Sequence, residues 1–125
     1  MTPRIRLLLG LAAINGFLAV AAGAFGAHGA AGPARDWLRT AGEYGLIHSL
    51  AVFAAFLLIR EGSRAAAVAA WLFLAGAATF AGSLDVMALT GQLWLGAVTP
   101  IGGLLLLAGW ATLAVAALSR GRAST

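Results

Sequence analysis

Four long apolar stretches with almost no charged residues constrain the fold of this chain more than any motif does. They cover about residues 5–27, 41–59, 65–88 and 98–118 of the 125-residue sequence. A helix needs roughly 20 apolar residues to cross the hydrocarbon core of a bilayer. The sequence therefore predicts an all-α polytopic membrane protein: a single domain over residues 1–125 whose four transmembrane helices form an up-down bundle.

Composition supports this class and excludes others. Hydrophobic residues make up 62% of the chain and charged residues 10%, against about 45–50% and 25% in soluble domains. The net charge of +4 comes from arginines placed singly near the ends of the apolar stretches, so it indicates membrane topology rather than a nucleic-acid surface. The chain has no cysteine, which excludes disulfides and cysteine-based metal or thiol chemistry.

The first apolar stretch has some features of a secretory signal, with arginines followed by a leucine run. The apolar run nevertheless continues through Phe25, which makes it longer than the 7–15 residues of a usual signal core. We therefore expect this segment to be retained as the first span.

The arginines predict the orientation of the bundle, because cytoplasmic connections accumulate positive charge. Four spans place both termini on one side, together with the connection between spans two and three. That side carries six arginines and the opposite side two: Arg4, Arg6, Arg60, Arg64, Arg120 and Arg122 against Arg35 and Arg39. Both termini are therefore expected to be cytoplasmic.

Helix start signals appear in the connections. Ser63 is predicted to be the N-cap of the third helix, and Thr99-Pro100 is typical of a helix start because proline suits the first turn. Gly32-Pro33 is expected to start a short interfacial helix between spans one and two, with Trp37 and Leu38 at the headgroup level.

Small residues recur at helical spacing and predict where helices approach closely, since burial from water does not drive association in lipid. Packing within the chain is favoured over a dimer motif for these positions. The glycines expected at such contacts are Gly16, Gly23, Gly26, Gly82 and Gly102.

Ionisable and phenolic residues gather toward the outer leaflet, and such groups inside a span are functional candidates by default. Tyr44 and His48 are four residues apart and share a helix face, whereas Glu43 is turned away and could reach back to Arg39. The complete candidate polar site is His28, Glu43, Tyr44, His48 and Asp85.

Three interpretations of this polar set stay open beside a purely structural one. His28 and His48 could bind a metal ion or act as axial ligands of a haem. The set could instead form a quinone, lipophilic-ligand or proton site. In the structural interpretation, which we favour, these groups fasten helix ends and no metal or other cofactor is bound; Asn15 and buried serines are likewise expected to join helices.

No catalytic triad, phosphate loop, paired-carboxylate signature or H-E-x-x-H spacing is present in the sequence. The sequence therefore favours a non-enzymatic role. The leading hypothesis is a small accessory or scaffold subunit that binds the bilayer lipid, a larger membrane complex or a second copy, and not nucleic acid.

The order of motifs resembles the YgdD-like family of small membrane proteins, a domain of unknown function. The segments that carry the resemblance are residues 23–29 (GAFGAHG), Tyr44 with His48, residues 82–84 and 88–91, and residues 99–103 (TPIGG) with Gly109-Trp110. The resemblance covers almost the full chain and implies a four-span inner-membrane protein without an assigned activity. Gly45 and Asp85 stand where the family often has glutamine and tyrosine, so site chemistry does not transfer directly. Abundant alanine and arginine with no lysine fit a bacterial source, and we expect the bacterial cytoplasmic membrane.

Overall fold

In a computed structural model, residues 1–123 fold into four α-helices: α1 (Pro3–His28), α2 (Pro33–Ile59), α3 (Arg64–Thr90) and α4 (Thr99–Ala123). A short 3-10 helix, Leu93–Ala97, lies between α3 and α4. The structure describes the backbone of residues 1–123 and the side chains of residues 1–119, so the side chains of Arg120 and Arg122 lie outside it. Each α-helix has the length and hydropathy of a membrane span, which confirms the prediction of four membrane-length helices.

The helix starts follow the local signals in the sequence. The Ser63 hydroxyl accepts a hydrogen bond from the Ala66 amide at 3.1 Å, which confirms the predicted N-cap of α3. Thr99-Pro100 begins α4, also as predicted. Gly91 ends α3 with a φ of 74°, a left-handed conformation that glycine adopts without a steric penalty.

The structure has one continuous α2 where the sequence predicted a short interfacial helix followed by a span. The helix starts at Pro33, as expected, but then runs unbroken to Ile59. Gly42 and Gly45, the glycines at which the helix could have been interrupted, both lie within it and pack against Ala19 of α1. A Cβ atom on Gly42 would lie 2.8 Å from the Ala19 carbonyl oxygen.

Leu38, expected at the headgroup level, is instead buried in the contact between α1 and α2. Its side chain is 3% exposed, and its Cβ would lie 2.9 Å from a Cβ built on Gly26. Gly26 therefore lets the first turns of α2 pack against the end of α1, which explains why this part of α2 belongs to the bundle.

Consecutive helices make the main packing contacts: α1 with α2, α2 with α3, and α3 with α4. Contacts between α1 and α2 run in opposite order along the two helices, since Gly26 meets Leu38 and Gly16 meets Ser49. Direct contact between α2 and α4 is slight. The sparse contact leaves space between these two helices, and that space forms a groove.

Two buried clusters fill the interior, one toward each end of the bundle. Alanine accounts for five of the eight buried residues of the larger cluster and two of the four of the smaller, and such small side chains let the helix backbones approach closely. The larger cluster joins α1, α2 and α3; its buried members are Leu8, Ala12, Ala51, Val52, Ala55, Ala69, Ala70 and Phe73. The smaller cluster joins α2 and α3; its buried members are Ala41, Ala81, Leu84 and Met87.

The five glycines singled out in the sequence differ in their surroundings. A Cβ on Gly102 would collide with the Phe80 backbone, and one on Gly26 would meet Leu38. Gly16 has ordinary contact with Ser49 at 3.6 Å, while a Cβ on Gly23 or Gly82 would enter open space.

Candidate functional site

A groove of about 760 Å³ lies between α2 and α4, with α3 at its base. Its walls are almost entirely apolar and aromatic, and its polar groups are concentrated on α2 and at the base. The lining residues are Glu43, Tyr44, Ile47 and His48 of α2, Phe80 of α3, and Pro100, Gly103, Leu104, Leu106, Leu107 and Trp110 of α4. Sites for small molecules commonly enclose about 300–1,000 Å³ and combine apolar walls with few polar groups.

His48 lies at the base of this groove and is 5% exposed. Its Nδ1 atom is 2.7 Å from the carbonyl oxygen of Tyr44, one turn earlier in α2. Its Nε2 atom accepts a hydrogen bond of 3.0 Å from the indole N–H of Trp110. This second bond joins α2 to α4 across the end of the groove.

The two bonds fix the tautomer of the His48 ring. An indole N–H can only donate, so Nε2 must be the unprotonated nitrogen. In neutral imidazole the other nitrogen carries the hydrogen, and Nδ1 therefore donates to the Tyr44 carbonyl. Both ring nitrogens are thus occupied within the protein, and neither is free to bind a metal ion or haem iron without losing one of these bonds.

Aromatic rings surround His48 on three helices. The Tyr44 ring stacks over it with centroids 6.0 Å apart, and the Phe73 and Trp110 rings lie 5.7 and 5.9 Å away. Phe73 also contacts Trp110 at 4.8 Å, and Tyr44 contacts Phe80 at 4.7 Å. These contacts join five residues into one aromatic cluster: Tyr44, His48, Phe73, Phe80 and Trp110. The predicted shared face of Tyr44 and His48 is confirmed by their stacking.

The groove opens toward the surroundings of the bundle, because residues of both walls are exposed. Tyr44 is 44% exposed, and Leu104 and Leu107 are about two-thirds exposed. Glu43 lies at one end, where its carboxylate pairs with the Arg39 guanidinium at 3.6 Å, as the sequence predicted. The groove therefore has an ionic end and an apolar body.

The five residues of the predicted polar site do not converge. Glu43, Tyr44 and His48 line the groove, whereas His28 is exposed at the last residue of α1. Asp85 lines a separate cavity of about 170 Å³ between α1 and α3. Within the described part of the chain, no three His, Asp or Glu side chains come together as a metal site would require.

Asn15 joins α1 to α2, which confirms the role predicted for it from the sequence. Its amide donates to the Gly45 carbonyl at 3.1 Å and to the Ser49 hydroxyl at 2.8 Å. On the other side of the bundle, the hydroxyls of Ser83 and Thr99 lie 2.6 Å apart and connect α3 with the start of α4. These polar bonds position the groove walls without taking part in its lining.

The contribution of α4 to the site, a groove wall and the Trp110 hydrogen bond, was not predicted from the sequence. Trp110 lies in a span and its indole N–H needs an acceptor there, which is a signal that could have paired it with His48. The contact joins residues 62 positions apart, and nothing in the spacing of either residue reveals the other. Phe80, Leu104 and Leu107 look like ordinary span residues in the sequence, so the groove itself was not foreseen.

The sequence of this chain is similar to those of bacterial membrane proteins. The family described as "Protein of unknown function (DUF423)" matches residues 22–103, which include Tyr44, His48 and Phe80. UPF0382 membrane protein YwdK of Bacillus subtilis is 41% identical over 115 residues, covering 86% of this chain and 93% of the relative. UPF0382 inner membrane protein YgdD of Escherichia coli K12 is 42% identical over 128 residues, covering 94% and 92%. No solved structure matches the chain significantly.

Proposed function

We propose that this chain, which belongs to the DUF423 family of UPF0382 membrane proteins, is a non-enzymatic accessory protein of the inner membrane. In this proposal it binds a lipid acyl chain in the groove between α2 and α4. It is an integral membrane protein with four candidate spans. The observation that carries the proposal is a groove of about 760 Å³ with apolar and aromatic walls that opens sideways from the bundle.

The position of the groove indicates what kind of molecule can enter it. Its walls belong to helices of membrane-spanning length, so its mouth faces lipid hydrocarbon rather than water. Ile47, Leu104 and Leu107 offer branched aliphatic surface, and Phe80 and Trp110 offer flat aromatic surface. A flexible methylene chain fits such walls by dispersion contacts, which are individually small and collectively large.

The bonding of His48 favours an apolar occupant over a redox cofactor. Its two ring nitrogens are bonded to Tyr44 and Trp110, so the base of the groove offers no free imidazole nitrogen for a quinone oxygen or a metal. In this proposal His48 has a structural role: it holds Trp110 in place and thereby fixes the wall contributed by α4.

The ionic end of the groove supports a defined orientation of the lipid. Arg39 and Glu43 form an exposed pair of opposite charges, and Glu43 lines the groove together with Tyr44. A lipid headgroup would lie next to this pair, with its acyl chain extending past Ile47 and Leu104 toward Trp110. Headgroup contacts with exposed charges contribute little free energy, so the apolar body of the groove provides most of the affinity.

The proposal includes a membrane topology. Short connections between consecutive helices favour an up-down bundle, with both termini and residues 60–63 on the cytoplasmic side. The six arginines predicted on that side support this orientation. The ionic end of the groove then lies toward the outer leaflet.

Native mass spectrometry of the purified protein tests lipid binding. Leu104→Trp adds bulk inside the groove, and Leu57→Trp makes the same change at an exposed position of α2 that lines none of the described cavities. We expect the wild type and Leu57→Trp to retain a lipid after delipidation, and Leu104→Trp to lose it at least tenfold. Equal retention by the two variants, or no retention by the wild type, would refute the proposal.

A further inference from the structure

We infer that the cavity between α1 and α3 is a hydrated proton-binding site in which Asp85 takes up and releases the proton. This site is separate from the groove between α2 and α4 and does not depend on its function. The proton passes from a hydronium ion in the cavity to the Asp85 carboxylate, which leaves a neutral carboxylic acid and a water molecule.

The bonding of Asp85 provides the first argument. Its Oδ1 atom is buried and has no hydrogen-bond partner within the described part of the chain. Asp85 lies five residues before the end of α3, or about 7.5 Å along the helix axis. A carboxylate oxygen left without a donor at this depth is costly, and a proton or a water molecule supplies the missing partner.

The lining of the cavity provides the second argument. Asn15 forms part of the wall, and its amide nitrogen already donates to Gly45 and Ser49. An amide nitrogen carries two hydrogens, so Asn15 has an oxygen acceptor left and no further hydrogen to donate. The Asn15 oxygen and the Asp85 carboxylate can therefore only accept hydrogen bonds, and a ligand that binds between them has to donate.

The volume of the cavity indicates which ligand it can hold. Its volume of about 170 Å³ is more than ten times the roughly 10–15 Å³ that one water molecule needs on this measure, so water can enter it. The groove between α2 and α4 is more than four times larger, so the small cavity is a poor match for a lipid chain. A monovalent metal ion would require several oxygen ligands, whereas a proton requires only the carboxylate.

No other titratable group faces Asp85 from the elements packed around it in the described structure. The cavity walls are completed by Leu18 and Ala19 of α1 and by Ala78, Ala81 and Gly82 of α3. Around the neighbouring buried cluster, α2 contributes Trp37 and Ala41 and the 3-10 helix contributes Leu95. Arg39 and Glu43, the nearby charges of α2, are mostly exposed and pair with each other. Asp85 is therefore the group in the cavity lining that gains or loses a proton.

Isotope-edited infrared spectroscopy tests this inference directly. The sequence contains two aspartates, Asp36 and Asp85, so ¹³C-aspartate incorporated into an Asp36→Asn variant labels the carboxyl group of Asp85 alone. Asp36 is exposed in the first turn of α2, and its replacement leaves the cavity unchanged. The protein is measured in lipid nanodiscs over a pH series, in H₂O and after exchange into D₂O.

The expected result is a labelled carboxylic-acid band that is replaced reversibly by a carboxylate band as the pH rises. Exchange into D₂O should shift the acid band at once, while the helices remain folded, because water occupies the cavity. Asp85→Asn in the same background should remove both labelled bands. A band that ignores pH while the protein is folded, or that shifts in D₂O only after unfolding, would overturn the inference.

Discussion

His48 and Trp110 connect α2 to α4 through a hydrogen bond of 3.0 Å at the base of the groove. At the scale of single residues, this bond makes the strongest prediction. Trp110→Phe retains an aromatic ring but leaves His48 Nε2 without its donor, and an unpaired buried acceptor costs about 1–3 kcal/mol. We expect a lower midpoint of thermal unfolding in detergent. Trp94→Phe, at a 66% exposed position, is the matched control and should have little effect; equal midpoints for the two variants would contradict the role of the bond.

Asn15 carries a second prediction at this scale. Asn15→Leu removes two hydrogen bonds to α2, and interhelical bonds in membranes contribute about 0.6 kcal/mol each on average, so we expect a loss of about 1 kcal/mol. Thr79→Val is the control, because the Thr79 hydroxyl bonds to the Ala75 carbonyl of its own helix. Equilibrium unfolding in mixed micelles measures both, and a larger loss for Thr79→Val would count against Asn15 as the link between α1 and α2.

Residue-level reasoning from the sequence identified some of these groups and their local partners. The Arg39–Glu43 pair and the stacking of Tyr44 with His48 are four-residue relationships within one helix, which helical periodicity makes readable. The bond between His48 and Trp110 depends on how α2 and α4 are placed by α3. Periodicity within a helix contains no information on that placement.

At the scale of helices, close backbone contact makes Gly102 a sensitive position. A Cβ at Gly102 would overlap the Phe80 backbone, so Gly102→Ala must push α4 away from α3 and is expected to cost about 1–3 kcal/mol. Gly10→Ala places the same methyl group in open space on α1 and should be neutral. Thermal unfolding of the two variants in one detergent compares them; a neutral Gly102→Ala would mean that α3 and α4 are not in close contact there.

Helix limits were predictable where a local cap or a proline defines them, as at Ser63, Thr99-Pro100 and Pro33. The continuity of α2 was not, because Arg35, Asp36 and Arg39 gave its first turns the polarity of a surface helix. The contact of Leu38 with Gly26 decides the outcome, and it requires knowing that α1 and α2 meet at that end. Tertiary packing here overrides the local polarity pattern.

At the scale of the whole molecule, the proposed topology predicts opposite locations for two sites. A reporter fused after Thr125 should be active in the cytoplasm, while the same reporter inserted beside Trp94 should be exposed on the outer side. The reason is the excess of arginines near the termini and at residues 60–64. Activity of both fusions on the same side of the membrane would contradict the proposed arrangement of spans.

If a lipid acyl chain occupies the groove between α2 and α4, its protons lie within nuclear Overhauser distance of the aromatic rings that line the groove. The protein is delipidated, placed in deuterated detergent and supplied with one equivalent of protonated phospholipid, so that only the lipid contributes acyl-chain protons. Tyr44 and Trp110 report on the groove, and Phe17, 74% exposed on α1 and outside the described cavities, reports on non-specific contact. We expect strong cross-peaks from acyl methylenes to the Tyr44 and Trp110 rings and weak or absent ones to Phe17. Cross-peaks of equal strength to Phe17, or none to Trp110, would contradict acyl-chain binding in the groove.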